Sequence, residues 1–193
     1  SSASSLVTLG VLGAVLFVVA LPFGGGVVFF CAHDGDTNNA TANNESKSAD
    51  ADLDKAMSVI INAKTSNISV CNALDKVVID VNLPNWEDFA NQLVRALQER
   101  KVTVLGDATI AKATQISQID SDEIWYEEFL DYKIVIGSVS SNQEAIAKIN
   151  KYCGGHSAAI ITESEITAQE FMDNVDASSV YHNASTRFTD GGQ

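Results

Sequence analysis

Cys71 is the thiol whose neighbours best suit a nucleophile: small and polar residues flank it, and Asn72-Ala73-Leu74-Asp75-Lys76 follows as a short turn or helix-like run. A thiol at a helix start feels the positive end of the macrodipole and unpaired amides, and both favour the thiolate that attacks acyl carbons. The competing reading is that a lone cysteine is a small buried hydrophobe. Far along the chain, Asn183, Ser185, Thr186 and Arg187 gather an amide, two hydroxyls and a guanidinium, the last suited to gripping a carboxylate or phosphate bidentately. The same residues also fit a strand-to-loop turn whose polar side chains satisfy their own backbone. His156 and His182 are lone histidines without a partner at metal-ligand spacing, so neither takes a catalytic role and no metal is expected. Trp125-Tyr126 with Glu127 and Glu128 reads as a core aromatic pair at a strand approach rather than a pocket wall.

Composition narrows the partners. Twelve Lys and Arg against 25 Asp and Glu give a formal charge of -13, which repels phosphate backbones and anionic lipid. Nucleic acid is therefore not an expected partner. Cys31, Cys71 and Cys153 are an odd count without CxxC spacing, so they write neither a disulfide framework nor a zinc site, and a reducing cytoplasm is the simpler location. At 193 residues with 46% hydrophobic content, a large core is available.

The elements that must position these residues come from the hydrophobic pattern. Residues 1–33 carry no charge before His33 and form an apolar segment, read as buried strand or helix through Val11 to Leu21 and a strand through Val27 to Ala32, with a membrane span as the alternative. Residues 34–51 are rich in Asp, Asn, Ser, Thr and Ala and read as a polar loop or linker. A domain of residues 52–193 follows. Leu53, Ala56, Met57, Ile60 and Ile61 make one helical stripe, and Val77-Val78-Ile79 a strand. Trp86, Phe89, Ala90, Leu93, Val94 and Leu97 mark a helix after Asn85 as N-cap, with Val102 to Leu105 as the next strand. Residues 107–128 read as a mostly irregular excursion. Ile134 to Val139 is a strand, Ser141 with Glu144 a capping box for a helix to about Asn150, and Ala158 to Thr162 a strand. Thr167 with Glu170 repeats the capping-box spacing before a last helix, and Ser179 to Asn183 closes as strand. Alternating strands and helices predict an α/β fold with a mainly parallel sheet and flanking helices.

Three long motifs add a family resemblance. Val175-Asp176-Ala177-Ser178-Ser179-Val180-Tyr181-His182-Asn183-Ala184-Ser185-Thr186-Arg187-Phe188-Thr189-Asp190-Gly191-Gly192 resembles the signature of the gamma-glutamyl phosphate reductases of the aldehyde dehydrogenase superfamily. Ala51 to Ala56, Asn62-Ala63-Lys64-Thr65 and Ser69-Val70-Cys71-Asn72-Ala73-Leu74 are similar to the segment leading into that family's catalytic cysteine. Ala145 to Tyr152, Gly155-His156 and Ala159 to Glu163 make the third match, and Glu127-Phe129-Leu130-Asp131 also fits. The resemblance covers roughly residues 50–193. Before it, Leu21-Pro22-Phe23-Gly24-Gly25 is similar to an Ile-Pro-Arg-Gly-Gly turn of the family, with Phe23 in place of the arginine, and Cys153-Gly154 replaces a glycine and a small hydroxyl residue.

The resemblance implies the fold of the superfamily's catalytic domain, an NADPH-dependent reduction of L-glutamyl 5-phosphate to L-glutamate 5-semialdehyde in proline biosynthesis, and Cys71 as the residue that forms a thioester. It implies substrate contacts from Asn72, Asn183, Ser185, Thr186 and Arg187, with Asn72 or nearby backbone amides facing the oxyanion. It also implies that the family's cofactor-binding domain has no counterpart in these residues, so that no residue is assigned to cofactor binding and the chain alone is expected to be inactive as a reductase. The expected partner is glutamyl phosphate or a related small acidic metabolite. A homo-oligomer stays open, as do a non-catalytic module that keeps the fold and a membrane-anchored protein with an α/β domain.

Overall fold

The computed structural model describes the backbone of residues 14–16, 26–32, 48–152 and 155–189, and side chains over 53–152 and 155–188. Two strands come first, β1 (Ala14–Leu16) and β2 (Gly26–Ala32), followed by helix α1 (Ser48–Thr65) and strand β3 (Leu74–Asp80). Then follow α2 (Trp86–Glu99), β4 (Thr103–Gly106), α3 (Ala108–Thr114), β5 (Ser117–Gln118) and a 3-10 turn at Asp122–Tyr126. The chain continues through β6 (Lys133–Val139), α4 (Asn142–Tyr152), β7 (Ser157–Thr162), α5 (Glu165–Asn174) and β8 (Ser179–His182), then a second 3-10 turn at Thr186–Thr189. Cys153, Gly154, Gly191, Gly192 and the Leu21-to-Gly25 turn lie outside the described residues.

The sheet runs β5-β4-β6-β3-β2-β7-β8, all parallel, with β1 antiparallel to β2 off this path. Right-handed crossovers leave the middle of this order in opposite directions, so β2-α1-β3-α2-β4 and β6-α4-β7-α5-β8 must place their helices on opposite faces. The packing agrees: α1 meets α2, and α4 meets α5. A strand covered on both faces loses the alternating pattern of a half-exposed one. All seven residues of β3 are accordingly buried, Asp75 and Lys76 included. Ala56, Ile60 and Ala63 of α1, Phe89, Leu93 and Leu97 of α2, and Ile149 and Phe171 from α4 and α5 fill the spaces above and below the sheet.

Three local expectations need correcting. No helix follows Cys71, because Leu74 already begins β3, and the helix propensity of Ala73 to Lys76 yields to pairing with β2 and β6. Residues 107–128 hold α3, β5 and a 3-10 turn rather than one irregular stretch. The Asp107 carboxylate anchors that region: one oxygen accepts from Ile110 N at 2.9 Å as the cap of α3, and the other accepts from Ser138 N and Oγ on β6. The cap of α5 is Ser164, whose hydroxyl accepts from Thr167 N at 3.2 Å, so the capping signal read at Thr167 sits three residues late. Asn85 does precede α2, but with φ 58 and no side-chain cap bond. At Ser141 the hydroxyl accepts from Glu144 N at 3.1 Å, while the Glu144 carboxylate accepts from Ser140 N and Oγ, one residue before the position a full capping box uses.

Candidate active site

Cys71 occupies the turn between α1 and β3 and is exposed. Asn72 beside it is fully buried, so the turn puts the thiol toward solvent and the amide inward. What receives that amide is the segment after β8. Thr186 Oγ1 donates to Asn72 O at 3.0 Å, Arg187 Nη1 donates to Asn72 Oδ1, and Asn72 Nδ2 lies 3.5 Å from Arg187 O as a donor. Ser185 and Thr186 are buried, and Ser185 Oγ accepts from Arg187 N at 3.2 Å. The structure therefore joins Asn72, Ser185, Thr186 and Arg187 directly beside Cys71, across 114 residues of sequence. Asn183 is placed differently. Its side chain bonds the end of β7, with Oδ1 accepting from Thr162 N at 3.0 Å and Nδ2 donating to Thr162 O at 2.9 Å. His182 Nε2 lies 2.9 Å from that carbonyl and 3.0 Å from Asn183 Nδ2, the first a hydrogen bond only with hydrogen on Nε2 and the second only without it.

The loop that carries Cys71 is closed at its base by an ion pair absent from the sequence reading. Lys64 Nζ at the end of α1 donates to Asp75 Oδ1 on β3 at 3.1 Å, both groups being shielded from solvent. Asp75 Oδ2 also accepts from Phe129 N at 2.9 Å. Burial pushes the Lys64 ammonium below its ordinary range despite the neighbouring Asp75. One sequence signal pointed there: Lys64 continues the α1 stripe of Ala56, Ile60 and Ala63, where an unpaired cation would be costly.

Lys76, the next residue of β3, is also fully buried; it donates to Glu127 O at 2.7 Å and lies 3.5 Å from the centre of the Phe129 ring. Burial lowers its pKa to about 7, helped by the Lys64 and Lys133 charges and opposed by Asp75 and Glu127. In the unfolded chain the same amine keeps its proton to its ordinary value of 10.5. Between those values the unfolded state binds more protons, so this group makes folding more favourable as pH rises through the window. The expected result is that Lys76→Met stabilises the chain most, relative to wild type, at or below pH 7, and that the difference shrinks toward pH 10. Urea midpoints across that range decide it, and a difference that grows with pH would reverse the assignment.

A dinucleotide pyrophosphate needs exposed backbone amides at a helix start. At α3, α4 and α5 one amide of each start is taken by a cap, Ile110 N by Asp107, Glu144 N by Ser141 and Thr167 N by Ser164, while Glu87 and Asp88 open α2. The carboxylates of Glu87 and Asp88 make the start of α2 unsuited to the diphosphate of NADPH. A cavity of about 600 Å³ between α2 and α3, lined by Trp86, Glu87, Ala108, Thr109, Lys112 and Ala113, contains none of the sequence-predicted site residues. Among the described residues, no three His, Cys, Asp or Glu side chains gather to hold a metal ion.

Comparison with known proteins gives this arrangement a context. No protein-family model matches the chain. Gamma-glutamyl phosphate reductase of Clostridium beijerinckii is 46% identical over 144 residues, covering 75% of this chain and 34% of that protein. The crystal structure of gamma-glutamyl phosphate reductase from Thermotoga maritima is 40% identical with a TM-score of 0.70, over 73% of this chain and 34% of that one. Betaine aldehyde dehydrogenase from Staphylococcus aureus, in complex with NAD+, is 15% identical with a TM-score of 0.54, over 69% and 36% of the two chains, a likeness of fold alone. The chain thus spans about a third of the length of the curated relatives it matches. No helix among the described residues is long and apolar enough to cross a membrane. Over 75% of its length the chain is homologous to gamma-glutamyl phosphate reductase, and its parallel α/β sheet is that of the aldehyde dehydrogenases.

Proposed function

We propose that this chain supplies the acyl-accepting part of a gamma-glutamyl phosphate reductase of proline biosynthesis, with Cys71 as nucleophile. The observation that carries the reading is the bridge from Arg187 and Thr186 to Asn72, which sets a cation and a hydroxyl-rich turn beside an exposed thiol. The thiolate sulfur attacks the acyl carbon of L-glutamyl 5-phosphate, the bond from that carbon to the phosphate oxygen breaks, and inorganic phosphate leaves a glutamyl thioester on Cys71. Arg187 carries five N–H donors in a planar fork, which suits it to a carboxylate or phosphoryl oxygen of such a substrate. Backbone N–H groups of the turn that carries Cys71 are the donors for the oxyanion formed during attack, since the buried Asn72 amide is turned inward to Arg187. The NADPH-dependent reduction that completes the relatives' reaction needs a hydride source outside the described residues. Cytoplasmic residence accords with an odd count of three cysteines without CxxC spacing.

The test is acylation without reduction. Incubating the chain with L-glutamyl 5-phosphate formed in place by a kinase is expected to release about one equivalent of phosphate per chain. Peptide mapping is expected to find a hydroxylamine-labile glutamyl adduct on Cys71. Phosphate release no faster than spontaneous decay, or an adduct confined to Cys31 or Cys153, would remove the assignment.

A further inference from the structure

We propose that Asn183 is a positioning residue that delivers Arg187 to the acyl-acceptor site, an inference that rests on the acyl-acceptor reading above. Asn183 follows β8 with φ 55, a left-handed conformation that asparagine tolerates better than most side chains. Its backbone N donates to Ile160 O at 2.7 Å, and both heteroatoms of its side chain engage the Thr162 backbone. The last residues of β7 therefore hold it by three bonds. A strand that continued straight would carry the chain onward beside β7. The left-handed residue turns it instead, and two residues later Ser185 and Thr186 are buried, with Thr186 on Asn72 O and Arg187 on Asn72 Oδ1. Four residues thus convert the rigid end of the sheet into the placement of a guanidinium, and the amide latch fixes where the turn begins. With its amide engaged on Thr162, Asn183 acts on the substrate only through Arg187.

The discriminating substitution is Asn183→Gly, because glycine accepts the positive φ at no cost and loses only the latch. Two measurements on the intact chain separate position from fold. In NMR spectra, the Asn72 side-chain amide signal of Asn183→Gly is expected to move toward its position in Arg187→Ala, while most of the remaining spectrum keeps its dispersion. In single-turnover phosphate release, the half-saturating concentration of L-glutamyl 5-phosphate is expected to rise by roughly tenfold or more with the limiting rate nearly retained, the consequence of losing a charge-assisted contact. In the Arg187→Ala background, Asn183→Gly is expected to add almost nothing, because both changes remove one interaction. An unmoved Asn72 signal, unchanged half-saturation, or a full additive effect in the double variant would each overturn the positioning role while leaving Cys71 as acceptor. Failure of the wild-type chain to release phosphate would instead overturn the acyl-acceptor reading, and this inference with it.

Discussion

Replacing Cys71 by alanine is expected to abolish glutamyl transfer, lowering phosphate release by at least about 10³-fold and leaving only the slow decay of the acyl phosphate. The size follows from the absence of any substitute. Cys31, the other cysteine among the described residues, lies within β2 in register with Thr162 of β7, and the hydroxyls of Ser185 and Thr186 are buried in the turn, with Thr186 donating to Asn72. Cys71→Ser is expected to be nearly as inactive, since a hydroxyl stays protonated at neutral pH and is the weaker nucleophile. Both variants should melt at the wild-type temperature, because the exposed side chain contributes no core packing. A serine variant retaining more than about one hundredth of the rate would show that the thiolate is not the acceptor. Limiting iodoacetamide offers an independent check, with the Cys71 peptide expected to be labelled before those of Cys31 and Cys153.

The second large effect concerns stability. Asp75→Ala removes the counter-ion of a fully buried ammonium and the acceptor of the Phe129 amide in one step. Breaking such a pair from one side is expected to cost about 3–5 kcal/mol, since Lys64 must then lose its proton or draw in water. Asp75→Asn can still accept from Phe129 and should cost less. Replacing both partners, Lys64→Met with Asp75→Leu, should recover much of the loss, because the desolvation penalty disappears together with the attraction. Urea denaturation of the three variants measures this. If Asp75→Ala and the double variant lose the same amount, the ion pair is not the source. The pair also brackets the loop carrying Cys71, so the Asp75→Ala chain should show altered alkylation of that thiol even under conditions where it remains folded.

Legibility in the sequence followed the range of the forces involved. Helices α1 and α2 were readable because their stripes repeat locally, α4 because of the spacing of Ser141 and Glu144, and the strand at Val77 to Ile79 because it is a continuous apolar run. The start of β3 was not, since Asp75 and Lys76 look like exposed helix residues until Lys64, Phe129 and the Glu127 carbonyl arrive from other elements to satisfy them. The core role read for Trp125-Tyr126 holds for Trp125, which is 1% exposed, and fails for Tyr126, which is 51% exposed. The setting of Trp125 was not legible: the ring packs where a Cβ on Gly137 would fall, with the Lys148 ammonium 4.3 Å from its centre. Helix α3 was missed although Asp107 stands in cap position, a local signal that a seven-residue helix leaves too short to show a stripe. For the site, the residue types around Cys71 and Arg187 were suggestive and the motif resemblance joined them. The bond that unites them spans the domain, and no local pattern encodes it.

The place of β2 bears on how this protein can be divided. The motifs that carry the resemblance begin at Ala51, yet the strand lying between β3 and β7 is Gly26–Ala32. A chain started at α1 would keep nearly every recognisable residue and lose the seam of its sheet. It would be left with a four-stranded piece ending at β3 and a two-stranded piece beginning at β7, each with a raw hydrogen-bonding edge. Such edges recruit strands from other molecules. A boundary drawn by similarity therefore cuts across the unit of folding, and shortened forms made on that boundary should aggregate where the chain with Gly26–Ala32 does not.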